Sequence, residues 1–412
     1  MTLAPDARLL FVTRVVRMFG YGLLSVVLVL YLVALGIDLV WVGAILTLTL
    51  LGDAAISLWL TTHADRLGRR RILIAGAGLM LLAGIVFAVA RDPWVLLLAA
   101  TIGVISPSGN EVGPFLAVEQ ASLSQTLPDR ERTRVFGWYN LVGSLATASG
   151  ALGAGLLAQL LQGAGATALD SYRAIVIGYA VIGIGLAALF WQLSPAIEVP
   201  RPKVTSIATR LGLHRSRGIV LRLAALFSLD AFAGGFVMQS LIAYWFHLRF
   251  GAPPGALGAI FFAANILAGF SALAAARLAG RIGLINTMVF THIPSNLLLI
   301  AVPFMPTLPL AVGVLLARFA ISQMDVPTRQ SYTMAVVDPD ERSAAAGVTG
   351  IARSLGAAVS PSLATPLVES ASLAGLPFVI AGLLKIGYDL LVYRGFRAVK
   401  PPEEAEYHPA QP

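Results

Sequence analysis

The 412-residue chain is 57% hydrophobic and 12% charged, with a mean hydropathy of +0.81. A soluble domain carries about twice that charge, roughly 25%, so lipid rather than water must solvate much of this surface. The 29 basic residues exceed the 21 acidic ones by 8, but they fall in short clusters between apolar runs, which marks membrane topology and not a nucleic-acid surface.

In chain order, apolar runs lie at roughly 9–35, 39–62, 72–90, 94–121, 135–161 and 173–193. After a polar break they resume at 219–247, 256–276, 284–302, 308–336, 343–368 and 375–393. Each crosses about 30 Å of hydrocarbon at 1.5 Å per residue. Backbone groups in lipid must pair within the segment, so each run predicts a helix. The first run continues to Leu35 with Arg14 and Arg17 inside it, unlike a cleaved signal peptide. The expected class is all-α and polytopic, with an N-terminal bundle over 1–193, a linker over 194–218, a C-terminal bundle over 219–400 and a disordered tail over 401–412.

Alternate loops collect twenty-two Lys and Arg on one side and three on the other, Arg91, Arg173 and Arg249. The positive-inside rule assigns both termini and the linker to the cytoplasm, and the plasma membrane is the expected location. The halves repeat. Glu119–Arg132 (EQASLSQTLPDRER) matches Arg329–Arg342 (RQSYTMAVVDPDER) at an offset of 210, which also brings Ser144-Leu145 onto Ser354-Leu355. At an offset of 213, Gly22 meets Gly235 and Tyr31 meets Tyr244. Ala64–Gly68 has a degenerate second copy at Ala279–Gly283.

Thr61–Arg71 reads T-T-H-A-D-R-L-G-R-R-R. This resembles the cytoplasmic loop motif of the major facilitator superfamily, with Asp65, Arg66, Gly68, Arg69 and Arg70 on its positions and Thr61 in place of the leading Gly. The resemblance implies twelve helices in two pseudo-symmetric six-helix bundles. It also implies secondary transport by alternating access, with this loop latching the halves on the cytoplasmic side. The first, fourth, seventh and tenth helices would line the cavity.

Those helices are unusually polar here. In the fourth, Pro107 and Pro114 bracket Asn110 and Glu111. Read as one kinked helix, residues 107, 111 and 114 share a face, which sets Glu111 beside carbonyls freed by the prolines. A carboxylate there is costly in lipid and suits reversible protonation, so Glu111 is the first candidate for proton coupling. In the tenth, Arg318, Asp325, Arg329 and Tyr332 form one stripe, and Pro327 opens the carbonyl of Gln323. Asp325 and Arg329 either handle proton and substrate or neutralise each other as an i,i+4 pair. Arg17 and Asp230 are equivalent under the 213 offset and suggest a salt bridge between halves; Asp53 and Arg353 suggest a second. Tyr31, Gln239 and Tyr244 either line the cavity or join helices. Lys385 and Asp389, i,i+4 on the last helix, read as structural.

The superfamily's exporter pattern ends its fifth-helix glycines in Gly-Pro, whereas this chain has Gly150-Ala151. Export is therefore not read from that motif. No phosphate-binding G-K-[ST], H-E-x-x-H or G-x-S-x-G occurs, and the five histidines lack metal spacing. Neither an enzyme nor a cofactor is expected. The expected function is secondary transport of a small solute, coupled to protons, with efflux of an organic compound as the leading reading. Import or facilitated passage of a polar anion is the alternative, and a non-transporting sensor the rival of another class. The partners expected are solute, protons and lipid, around a monomer.

Overall fold

The chain's structure, a computed structural model, describes residues 4–126, 129–198, 215–338 and 341–399, with their side chains except at 62, 64–66, 124–134 and 343. The tail at 401–412 and most of the expected linker lie outside the described residues. In the first half the helices are α1 (Pro5–Ala34), α2 (Leu39–Leu67), α3 (Arg69–Val89), α4 (Pro93–Ile102), α5 (Phe115–Thr126), α6 (Asp129–Gly163) and α7 (Ala168–Trp191). The second half holds α8 (Arg217–Gly235), α9 (Gln239–Phe250), α10 (Pro254–Ile282), α11 (Leu284–Ala301), α12 (Leu308–Ser322), α13 (Asp325–Ala335), α14 (Arg342–Glu369) and α15 (Leu376–Phe396).

Among the described residues, ten segments are long and apolar enough to cross a bilayer, with α8–α9 and α12–α13 each counted as one span. Two more complete twelve. The fourth span is divided between α4 and α5, and the eleventh, α14, is diluted by Ser, Thr, Gly, two prolines and Arg353. Large apolar side chains such as Leu160, Phe304 and Trp191, each about 70% exposed, cover the outside, as lipid contact requires.

Three spans are broken rather than kinked, and the fourth is the most open. Residues 103–114 are not helical, with Gly109 and Gly113 at φ of +71° and +79° between Pro107 and Pro114. Backbone groups loosened there must find partners. Tyr21 donates to the Val112 carbonyl at 3.0 Å, Thr147 to Gly109 at 3.4 Å, and Tyr179 to Val104. The Gly113 N–H goes to Asp53, and the Pro107 carbonyl accepts from the Ser240 N–H at 3.3 Å. The tenth span breaks at Gln323–Met324, where Pro327 cannot donate to the Gln323 carbonyl and crowds it. Pro294, Pro361 and Pro366, by contrast, lie inside unbroken helices.

The chain divides into two compact units. Unit 1 holds residues 1–204 with 238–266, and unit 2 holds 205–237 with 267–412. In unit 1, α1 is central: 83% of its apolar window is buried. It meets α6 almost backbone to backbone, because a Cβ on Gly22 would sit 2.1 Å from the Thr147 carbonyl oxygen. Unit 2 repeats the device between α8 and α14, where a Cβ on Gly235 would sit 2.6 Å from the Ala357 oxygen. Glycine there lets helices approach closely enough for dispersion and carbonyl contacts to replace side-chain packing. The Gly-rich fifth span is thus a packing surface.

Candidate functional site

Unit 1 buries a four-charge cluster on α1 and the fourth span. Arg14 and Arg17 lie one turn apart on α1, and both are buried. Both guanidiniums hold Glu111: Arg14 makes a short pair, and Arg17 reaches both carboxylate oxygens at 3.2 Å. Arg17 also donates to Glu119 on α5 at 2.7 Å. Glu119 is fully buried and accepts further from Thr13 at 2.9 Å and from Tyr139. Arg14 lies over the Tyr139 ring, 4.2 Å from its centroid, and reaches Asn140 at 3.3 Å. Room for it comes from Gly143, whose Cβ would lie 2.5 Å from the Arg14 Nε.

Unit 2 builds its cluster around Asp230 on α8. Arg329 donates to Asp230 at 3.0 Å and to Asp325 at 2.9 Å. Arg353 on α14 reaches Asp230 at 3.2 Å, and Lys385 on α15 pairs with its other oxygen. Behind this, Asp389 accepts from Asn296 at 3.2 Å and meets His292 at 2.8 Å. Several mutually compensating partners are what hold such charges in a low-dielectric interior.

The two clusters answer each other across the repeat. Arg17 corresponds to Asp230 and Glu119 to Arg329, so both units join the first and fourth spans of their half by one ion pair of opposite polarity. Gly143 likewise corresponds to Arg353. In unit 1 a guanidinium from α1 fills the space over a glycine on α6. In unit 2 a guanidinium from α14 fills it.

Several expectations are corrected by these contacts. Glu111 is not on a helical face beside proline-freed carbonyls, because its segment is unwound; its partners are two arginines. Arg17 and Asp230 each have counter-ions within their own unit. Asp53 accepts from the Gly113 N–H and Ser57, and Arg353 serves Asp230. Lys385 is a counter-ion of Asp230, and its assignment to an isolated pair with Asp389 is replaced. The Asp325–Arg329 pair forms, extended to Asp230.

Other candidates fall outside these clusters. Tyr31 donates to the Phe87 carbonyl at 2.6 Å. Gln239 donates to Ser25 at 2.7 Å and accepts from Asn265 at 3.2 Å, tying α9 to α1 within unit 1. Tyr244 is buried on α9 and Asn110 is exposed in the unwound stretch. The Gln323 N–H bonds to Ser271 at 3.3 Å. In the loop motif, the side chains of Asp65 and Arg66 lie outside the described residues. Gly68 takes φ +98°, and the Arg69 and Arg70 N–H groups donate to Glu198 at 2.7 and 3.1 Å. Glu198 thereby caps α3 against its positive end. Glu119, Lys385 and Glu198 were missed as functional partners. For Glu119 the signal was present, as the residue aligned with Arg329 by the repeat.

The sequence model of the Major Facilitator Superfamily matches residues 10–361. The chain is 30% identical over 417 aligned positions to the uncharacterized membrane protein YJR124C of Saccharomyces cerevisiae, covering 94% of this chain and 93% of that one. Among solved structures it is similar to a point mutant of the nucleoside transporter NupG, with a TM-score of 0.75 at 15% identity and 95% and 99% of the two chains covered. A bacterial homologue of the human lysosomal transporter Spinster, inward-facing and unoccupied, gives 0.72 at 14% identity over 95% and 97%. A D-xylose–proton symporter gives 0.72 at 13% over 94% and 97%. With twelve spans, two repeated halves and a family match over most of its length, this chain belongs to the major facilitator superfamily of membrane transporters.

Proposed function

We propose that the chain moves a small organic solute by alternating access, drives it with protons taken up at Glu111, and exports it from the cytoplasm across the plasma membrane. The observation that carries the coupling is the place of Glu111. Its side chain is 16% exposed in an unwound stretch of the fourth span and is shared by Arg14 and Arg17. A proton on Glu111 would weaken two ion pairs at once and loosen α1 from the unwound part of the fourth span. Glu119, fully buried, would then remain the standing counter-ion of Arg17. Asp325, tied to Arg329, is the second carboxylate placed to respond to a proton. Export is the leading direction, and the basic loops support cytoplasmic termini.

The test uses purified protein in proteoliposomes with a solute found by thermal-shift screening. An imposed pH gradient drives flux in the wild type. Glu111→Gln is expected to abolish gradient-driven flux while solute exchange at equal pH survives. Unchanged gradient-driven flux in that variant would remove the coupling assignment.

A further inference from the structure

The interior cluster of unit 2 holds one more cation than its carboxylates can neutralise. Arg318, Arg329, Arg353 and Lys385 face Asp230, Asp325 and Asp389. Three of these cations reach a carboxylate. Arg318 does not: it is 9% exposed, and among the described residues it has no hydrogen-bond or ion-pair partner, its Nε being sealed without an acceptor. The two carboxylates in its electrostatic neighbourhood, Asp325 and Asp230, are already held by Arg329, Arg353 and Lys385.

A second orphan lies beside it. Ser322 follows Arg318 by one helical turn on the same face, is 4% exposed, and its Oγ also lacks a partner. Ser322 is the last residue of α12, and α13 starts at Asp325 with no side chain capping it. The break therefore follows a turn that carries a guanidinium and a hydroxyl, and it precedes the positive end of an eleven-residue helix. The guanidinium and the hydroxyl favour an oxyanion, while the positive end of α13 already carries the Asp325 carboxylate. A guanidinium offers a planar fork of N–H donors matched to a carboxylate or phosphate, and a buried one without a counter-ion is otherwise costly.

We propose that Arg318, seconded by Ser322, binds the oxyanion of the transported solute, which is accordingly an organic carboxylate or phosphate monoester. The inference rests on reading the chain as a solute carrier and adds the charge of its solute. The rival use of Arg318, pairing with Asp325 in another conformation, predicts no dependence on added anion.

The experiment titrates full-length protein in phosphatidylcholine nanodiscs with benzoate, phenyl phosphate and inorganic phosphate, using benzamide as the neutral isostere, and reads the thermal midpoint. An organic oxyanion should raise the midpoint saturably and benzamide should not. Arg318→Gln should weaken the apparent affinity about tenfold or more, and Ser322→Ala should weaken it less. An equal response in Arg318→Gln, an equal response to benzamide, or no response to any oxyanion overturns the proposal. So does stabilisation confined to nanodiscs containing phosphatidylglycerol, which would give Arg318 to a lipid headgroup. If Arg318→Gln does not fold, Arg318→Lys decides: weaker binding is expected because an ammonium lacks the fork, and unchanged affinity for every anion overturns the assignment. Binding is read at equilibrium without a pH gradient, so its failure and the failure of proton coupling at Glu111 show separately.

Discussion

Glu119 and Arg329 occupy the same place in the two repeats, 210 residues apart, and carry opposite charge. Each is paired to the first span of its own half, Glu119 to Arg17 at 2.7 Å and Arg329 to Asp230 at 3.0 Å. Reversal of sign is tolerated between the halves, so it should be partly tolerated within one. Glu119→Arg alone sets a third cation against Arg14 and Arg17 and should cost about 3–5 kcal/mol, as breaking a buried pair does. Adding Arg17→Glu should recover on the order of 1–3 kcal/mol of that. Recovery stays incomplete because Glu111 then faces a carboxylate at position 17. Thermal unfolding of the two singles and the double closes the cycle, and strict additivity would refute the mirrored-pair account.

The two carboxylates held by Arg17 should differ in what their neutralisation costs. Glu119 is fully buried and takes hydrogen bonds from Thr13, Arg17 and Tyr139. Glu119→Gln should therefore lower stability by roughly 2–4 kcal/mol. Glu111→Gln, at a partly exposed site where Arg17 keeps Glu119 but Arg14 loses its carboxylate partner, should cost less, about 1–2 kcal/mol. Midpoints in one detergent compare them directly; equal losses would contradict the division of roles.

The glycine contacts make a sharp steric prediction. Gly22→Ala and Gly235→Ala would set a methyl 2.1 and 2.6 Å from carbonyl oxygens on α6 and α14. Each should lose about 1–3 kcal/mol or fail to express. Gly78→Ala, on α3 with nothing within 4 Å of the added carbon, should instead be neutral or stabilising by about 0.5–1 kcal/mol. The same unfolding assay checks all three.

Glu198 should matter to the loop motif although it lies far from it in sequence. Its carboxylate accepts from the first two N–H groups of α3, while Arg70 donates to the Leu193 carbonyl at 3.2 Å. Glu198→Ala should cost about 1 kcal/mol and loosen the start of α3. Hydrogen exchange is expected to quicken at residues 69–72 and to stay unchanged in the rest of α3.

Topology was legible because hydropathy and the requirement for internally paired backbone act on long windows, and those do not depend on which side chains meet. The repeat was legible too, and with it the equivalence of Arg17 and Asp230. Partner choice was not. The carboxylates and cations that Arg17 and Asp230 meet within their own units come from neighbouring helices far away in sequence, which the repeat alone does not single out. The unwinding at 103–114 also escaped, because two prolines and two glycines predict a bend, and only the hydroxyl donors and the Asp53 carboxylate of other helices make full unwinding tolerable. Lys385 read as half of a local pair because its true partner, Asp230, is 155 residues away.

The unwound stretch before α5 has one more consequence. Its backbone is held by single bonds to Tyr21 on α1, Asp53 on α2, Thr147 on α6, Tyr179 on α7 and the Ser240 N–H on α9, the last contributed by the second half of the chain. A shift in any of these five helices tugs on the loop that carries Glu111. The acid is thus strung where the displacements of several helices add together, and its grip on Arg14 and Arg17 follows how the surrounding bundle is set.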